Sequence, residues 1–163
     1  MIKIKNRHRL KSKDIKKLKD EIQNIFNIDF FKENPVVETG EYEGIKTVFI
    51  DQEPCFIKID NQTIITLYGI NKFKPKNNFV TVDMGAVKFV TNGADVMAPG
   101  IVDADKDILE DDQVWIRDEK HKKPLAVGFA LIDGTQMITK NKGRAIRIVH
   151  YVGDKIWNKI IPI

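Results

Sequence analysis

The sequence of 163 residues predicts an α+β protein of two small domains. A helix on an antiparallel sheet fills residues 1–77, and a mostly-β, closed or half-closed barrel fills residues 78–163. Three observations predict this. The apolar spacing is helical up to about residue 27 and changes to β-branched and aromatic runs from residue 35. Lys72-Phe73-Lys74-Pro75-Lys76-Asn77-Asn78 breaks the strand pattern and reads as a linker, with the boundary near Asn77. Beyond it, five or six short strands separated by turn residues fit a small barrel.

In the first half, Ile2 and Ile4 fall on one side of an extended strand, and Lys3, Lys5, Arg7 and Arg9 on the other. Same-face residues on a strand are ~6.6 Å apart, close to the phosphate spacing of a single nucleic-acid strand. The same charges would equally keep an edge strand from aggregating, and both readings stand. Ser12 offers an N-cap to a helix over 13–27, with Asp14 in its first turn. Ile15, Leu18, Ile22, Ile25 and Phe26 form its apolar stripe, while Lys13, Lys16 and Lys17 lie off it and extend the basic surface. Strands follow at 36–38, 46–50, 55–59 and 63–67, with turns at Thr39-Gly40, Glu43-Gly44, Gln52-Glu53-Pro54 and Asp60-Asn61.

In the second half, a strand over 79–83 leads into Gly85–Val90, which suits a short helix ending at Asn92-Gly93. A brief strand over 94–97 stops at Pro99-Gly100, and an acidic loop follows, from Asp103 to Asp112. Residues 113–117 and 125–131 read as strands joined by the polar turn 118–124; 144–150 and 155–160 read as two more.

Charge is unevenly placed. Residues 1–19 carry nine Lys or Arg against Asp14 alone, a local charge of +8, whereas the chain as a whole carries +4. Such a block attracts phosphate polyanions, so nucleic acid is the expected partner ahead of an anionic membrane surface. With 22 Lys and 5 Arg the positive charge is mostly point-like, which favours backbone contact over base readout.

No apolar run approaches the ~20 residues of a membrane span, and no secretory leader follows Met1, so a cytoplasmic protein is expected. Enzyme signatures fail in turn. Ser12 is the only serine and sits in a lysine run; Cys55 alternates within a strand as a core residue would; His8, His121 and His150 are scattered. Asp103-Ala104-Asp105-Lys106-Asp107-Ile108 imitates the start of a calcium loop, but Ile108 stands where glycine is needed and Val114 where glutamate is needed. No enzyme activity, metal or cofactor is expected.

The most informative stretch is Val82-Asp83-Met84-Gly85-Ala86, continuing through Asn92-Gly93-Ala94 to Ala98-Pro99-Gly100-Ile101. Strand, helix and second strand are packed into twenty residues, and Gly93 suits a turn with positive φ. Its order, spacing and closing Pro-Gly-Ile resemble the signature of the PUA domain, an RNA-binding module named after pseudouridine synthases and archaeosine transglycosylases. The likeness covers roughly 78–160. Ile65-Thr66-Leu67, Asn141-Lys142-Gly143 and His150 to Trp157 extend it to the malignant-T-cell-amplified-sequence family and its archaeal relatives, which join a "pre-PUA" domain to a C-terminal PUA domain.

The resemblance implies RNA binding in translation, on tRNA or small-subunit rRNA, on the small ribosomal subunit and beside an SUI1-type protein partner. It implies an RNA path over Lys88, Asn92, Gly93 and Ala94 and the final strand around Lys155, Trp157 and Lys159. Lys142, Gly143 and Arg144 would form a basic rim. Trp157 suits a stacking face and a core cap equally. Two other classes stand beside this: a protein-interaction adaptor on the ribosome, and an accessory subunit of an RNA-modification enzyme.

Overall fold

A computed structural model describes residues 4–28, 34–42 and 44–160, without the side chains of 159 and 160. The chain divides into two compact units between Pro75 and Lys76, and the second unit extends to Trp157.

The first unit is an antiparallel sheet in sequential order: β1 (Lys5–Arg9), β2 (Val37–Tyr42), β3 (Ile45–Ile50), β4 (Glu53–Ile59) and β5 (Gln62–Ile65). Helix α1 (Ser12–Phe26) buries Leu18, Ile22 and Phe26 and leaves Lys13, Lys16 and Lys17 exposed, as the apolar stripe requires. Its N-cap is Lys11, without a side-chain bond, so Ser12 is the first helical residue and not the cap. Asn27 ends it in the left-handed conformation.

Strand β1 forms the sheet edge, but the expected alternation fails. Asn6 adopts φ 54° and the register shifts between Lys5 and His8, so all five residues from Lys5 to Arg9 are exposed. Lys3 and Ile2 lie outside the described residues. Thr39-Gly40 is also not a turn: both lie inside β2, where a Cβ on Gly40 would sit 2.4 Å from the Ile4 side chain. Glycine there lets the incoming chain pack flat on β2.

The expected strand 63–67 stops at Ile65, and Thr66 caps a helix, α2 (Leu67–Phe73), by accepting from the Gly69 amide at 3.0 Å. The linker begins only after it. Cys55 is fully buried, and that burial pushes its thiol pKa up to about 12. It is packing, not a nucleophile.

The second unit is a mixed six-stranded sheet curled towards a barrel: β6 (Phe79–Val82), β7 (Val96–Met97), β8 (Ile101–Ala104), β9 (Gln113–Asp118), β10 (Pro124–Ala130) and β11 (Arg144–Tyr151). The order is β7-β11-β10-β9-β6-β8, and β6 pairs parallel with β9. Val80, Val82, Val114, Ile116, Ala126, Met137 and Ile146 close its core. Helix α3 (Met84–Val90) follows β6, capped by Asp83, whose carboxylate accepts from the Ala86 amide at 2.8 Å. Strand β8 takes the start of the expected acidic loop. The carboxylates of Asp105 and Asp112 accept from the backbone amides of Asn78 and Leu109 at 2.7 and 2.9 Å.

Two short helices follow, one between the expected strands 125–131 and 144–150 and one in place of the expected strand 155–160. Helix α4 (Gly134–Thr139) starts at a capping box in which Asp133 and Gln136 bond each other's backbone amides. The expected last strand is helix α5 (Lys155–Ile160). Gly153, at φ 88°, ends β11, and Asp154 accepts from the Trp157 amide at 2.7 Å, which starts a helical turn. The final strand of the barrel is therefore β11, and Lys155, Trp157 and Lys159 are helical.

Candidate nucleic-acid interface

Within the second unit, α3 and the turn behind it wall an open groove of about 670 Å³. Ala86, Phe89, Ala94, Met97, Pro99 and Arg144 line it, together with Asp83 and Asp95. The sequence builds it tightly. The amides of Asn92 and Ala94 both donate to the Phe89 carbonyl, at 3.1 and 3.0 Å, which turns the chain back at once. Gly93 takes φ 86°, and a Cβ there would come within 2.7 Å of the Tyr151 ring. Asp83 ties the other end, its amide donating to Gly100 at 2.9 Å.

The walls are apolar and open to solvent. Phe89 is 58% exposed, and Met97, which also lines the groove, is nearly half exposed. Large apolar side chains left in water on one face mark an interaction surface rather than a core. The rim is cationic. The Lys88 ammonium lies 5.1 Å from the Phe89 ring centre, and Arg144 is exposed at the start of β11. Asp95 holds Arg144 by an ion pair and also accepts from the Ile148 amide at 3.0 Å, so its charge is largely spent on fixing this rim. Gly143, at φ 92°, accepts from the Ala98 amide at 2.9 Å and pins the loop carrying Lys142.

An aromatic face, small residues that allow close approach and flanking cations together can stack a base and hold its phosphate. The structure thus brings Ala94 and Arg144 into the groove and sets Lys88 beside it. Asn92 and Gly93 form its end turn, and Lys142 and Gly143 belong to the pinned loop. Lys155 and Trp157 sit on α5 and do not line the groove; Trp157 is half-buried, and the Lys159 side chain lies outside the described residues.

Phe89 and Met97 are the groove residues that sequence reasoning missed. Phe89 follows Lys88 in the motif stretch, but an aromatic in a short helix reads as core until its face is known.

In the first unit, Lys5, Arg9, Lys13, Lys16 and Lys17 are exposed. Arg7 is exposed but not free: its guanidinium forks onto Glu38 at 3.1 and 3.2 Å and lies 5.0 Å from the Phe49 ring centre. Among the described residues no three His, Cys, Asp or Glu stand together as a metal site, and no helix is long and apolar enough to cross a membrane.

Fold and groove define a PUA-domain protein, and residues 78–152 match the PUA domain family. Residues 6–73 match a domain of unknown function, DUF1947. The chain is 48% identical over 157 residues to an uncharacterised protein of Methanocaldococcus jannaschii, covering 95% of this chain and 97% of that one. It is 31% identical to Translation machinery-associated protein 20 of Saccharomyces cerevisiae, covering 71% of this chain and 67% of that one. It is 28% identical to Malignant T-cell-amplified sequence 1 of Danio rerio, covering 95% and 92%. A crystal structure of a hypothetical protein from Pyrococcus horikoshii, 33% identical, superimposes with a TM-score of 0.83 over 94% of this chain and 99% of that one. The chain belongs to the family of Translation machinery-associated protein 20 and the malignant T-cell-amplified sequence proteins.

Proposed function

We propose that this protein is a non-enzymatic RNA-binding protein of the translation apparatus that contacts tRNA or small-subunit rRNA on the small ribosomal subunit. It would work in the cytoplasm, during initiation or recycling, beside an SUI1-type protein partner. The observation that carries the reading is the solvent-exposed Phe89 between Lys88 and Arg144, in a groove that a PUA domain builds. In this reading residues 78–163 are the RNA-binding domain and residues 1–77 the pre-PUA domain. A base lies on Phe89, the turn of Asn92, Gly93 and Ala94 admits the backbone closely, and Lys88 and Lys142 meet phosphates, to which Arg144 contributes less because Asp95 already pairs with it. Lys155 and Trp157 would extend the contact from α5. Lys5, Arg9, Lys13, Lys16 and Lys17 form a separate, backbone-directed patch, to which Arg7 contributes less because Glu38 already neutralises it.

The test is direct binding of the purified protein to unfractionated tRNA and to small ribosomal subunits at low and near-physiological salt. Saturable binding to one of them that persists at higher salt is expected. Weak binding to both that vanishes with salt would reduce the basic segment to a generic polyanion patch and favour the adaptor reading.

A further inference from the structure

The turn joining β9 to β10 carries Lys120-His121-Lys122-Lys123, and all four side chains are exposed. Runs of lysine in turns are ordinarily loose and solvated, but this one is built. Asp118, itself 4% exposed, accepts from the His121 amide at 2.5 Å on one oxygen and from the Lys123 amide at 3.0 Å on the other. The Lys122 amide donates to the Asp118 carbonyl at 3.1 Å, and the Asp118 amide to the Lys123 carbonyl at 3.2 Å. Lys122 is held at φ 56°, a conformation that non-glycine residues seldom adopt.

The place of the turn is fixed as well as its shape. Parallel pairing of β6 with β9 sets Asp118 opposite Val82, the last residue before the α3 cap. The Glu119 amide donates to the Val82 carbonyl at 3.0 Å, and the Glu119 carboxylate accepts from the Met84 amide at 3.2 Å. The lysines are thus tied to the first residue of α3, whose next turns supply Ala86 and Phe89 to the groove. At seven residues, α3 is only about 10 Å long. Two carboxylates adjoin the lysines: Asp118 is buried and bonded to the turn's own amides, and Glu119 bonds the helix amide; Lys120, Lys122 and Lys123 form no ion pair among the described residues.

We infer that this turn is a second phosphate grip, in which Lys120, Lys122 and Lys123 hold the sugar–phosphate backbone of an RNA strand where it leaves the groove at the Met84 end of α3. The inference rests on the RNA reading of the groove given above. Lysine ammonium groups are point charges suited to phosphate oxygens, and the turn offers neither an arginine fork nor an aromatic face to read a base. A turn already locked in shape loses little freedom on binding, which is what preorganised recognition requires.

The experiment compares three full-length proteins titrated with unfractionated tRNA from 50 to 300 mM KCl: wild type, Lys120→Gln/Lys122→Gln/Lys123→Gln, and a charge-matched control, Lys74→Gln/Lys76→Gln/Lys106→Gln. All six lysines are exposed, so thermal unfolding should match across the set. Three lost single-strand phosphate contacts should flatten the log–log salt slope by about 2 and weaken binding by tens of fold near 0.1 M salt. The control should move both quantities far less. A turn variant that tracks the control while wild type binds would overturn the grip and leave the groove reading intact. Weaker binding with an unchanged slope would also overturn it, because the contact would not be to phosphate. Intact tRNA binding with loss of an acidic protein partner would reassign the turn to protein recognition. Absence of wild-type binding would remove the groove reading and the grip together.

Discussion

Two aspartates carry unusual structural weight, and both remain ionised for the same reason. Burial pushes the Asp118 carboxyl up, but the amides of His121, Lys123 and Lys120 outweigh it and hold it below the usual carboxylate range. Burial likewise pushes Asp154 up, and its hydrogen bond to His150 at 2.9 Å, with the amides of Trp157 and Tyr151, brings it down. A carboxylate whose pKa is lower folded than unfolded stabilises the fold above its unfolded value, about pH 4, and loses that contribution as the pH falls through the folded value. Asp154→Asn should therefore lower stability at pH 7 and shrink the difference between pH 7 and pH 3, as read by urea unfolding at both. An unchanged pH dependence would contradict this account of Asp154. Gly93 is the other residue-scale control point. Gly93→Ala combines a left-handed backbone with a Cβ 2.7 Å from Tyr151, so a loss of about 1–3 kcal/mol is expected in denaturant unfolding.

At the scale of elements, α1 was legible because fifteen residues give several repeats of the apolar stripe. Helices α2, α4 and α5 have only six or seven residues each, too few for periodicity to register. Their signals lay in the caps: Thr66, the Asp133–Gln136 box, and Asp154 behind Gly153. The last of these was read through as strand because Ile156, Trp157 and Ile160 suit either state. Edge strand β1 failed differently, since the left-handed Asn6 breaks an alternation that composition alone cannot show to be interrupted. Asp133→Ala, which removes a capping box, should cost about 1 kcal/mol of stability in equilibrium unfolding. No measurable loss would mean that α4 is held by packing of Met137 alone.

For the whole molecule, the concentrated positive charge of the first nineteen residues pointed to a polyanion before any element was placed. The motif from Val82 to Ile101 located the groove because its three glycines and one proline fix backbone positions, which sequence records directly. Which side chains face solvent is decided by tertiary packing, and so Phe89, Met84 and Met97 emerged only from the fold. The Lys120–Lys123 turn was visible as polar sequence, but its rigidity depends on Asp118 and Glu119 bonding across the unit. The central claim is that RNA enters the groove beside α3, and amide NMR of the labelled protein titrated with unfractionated tRNA tests it most directly. The account predicts that the largest shifts fall on residues 84–97 and 142–148. Shifts confined to Lys5–Lys19, with the groove silent, would contradict it.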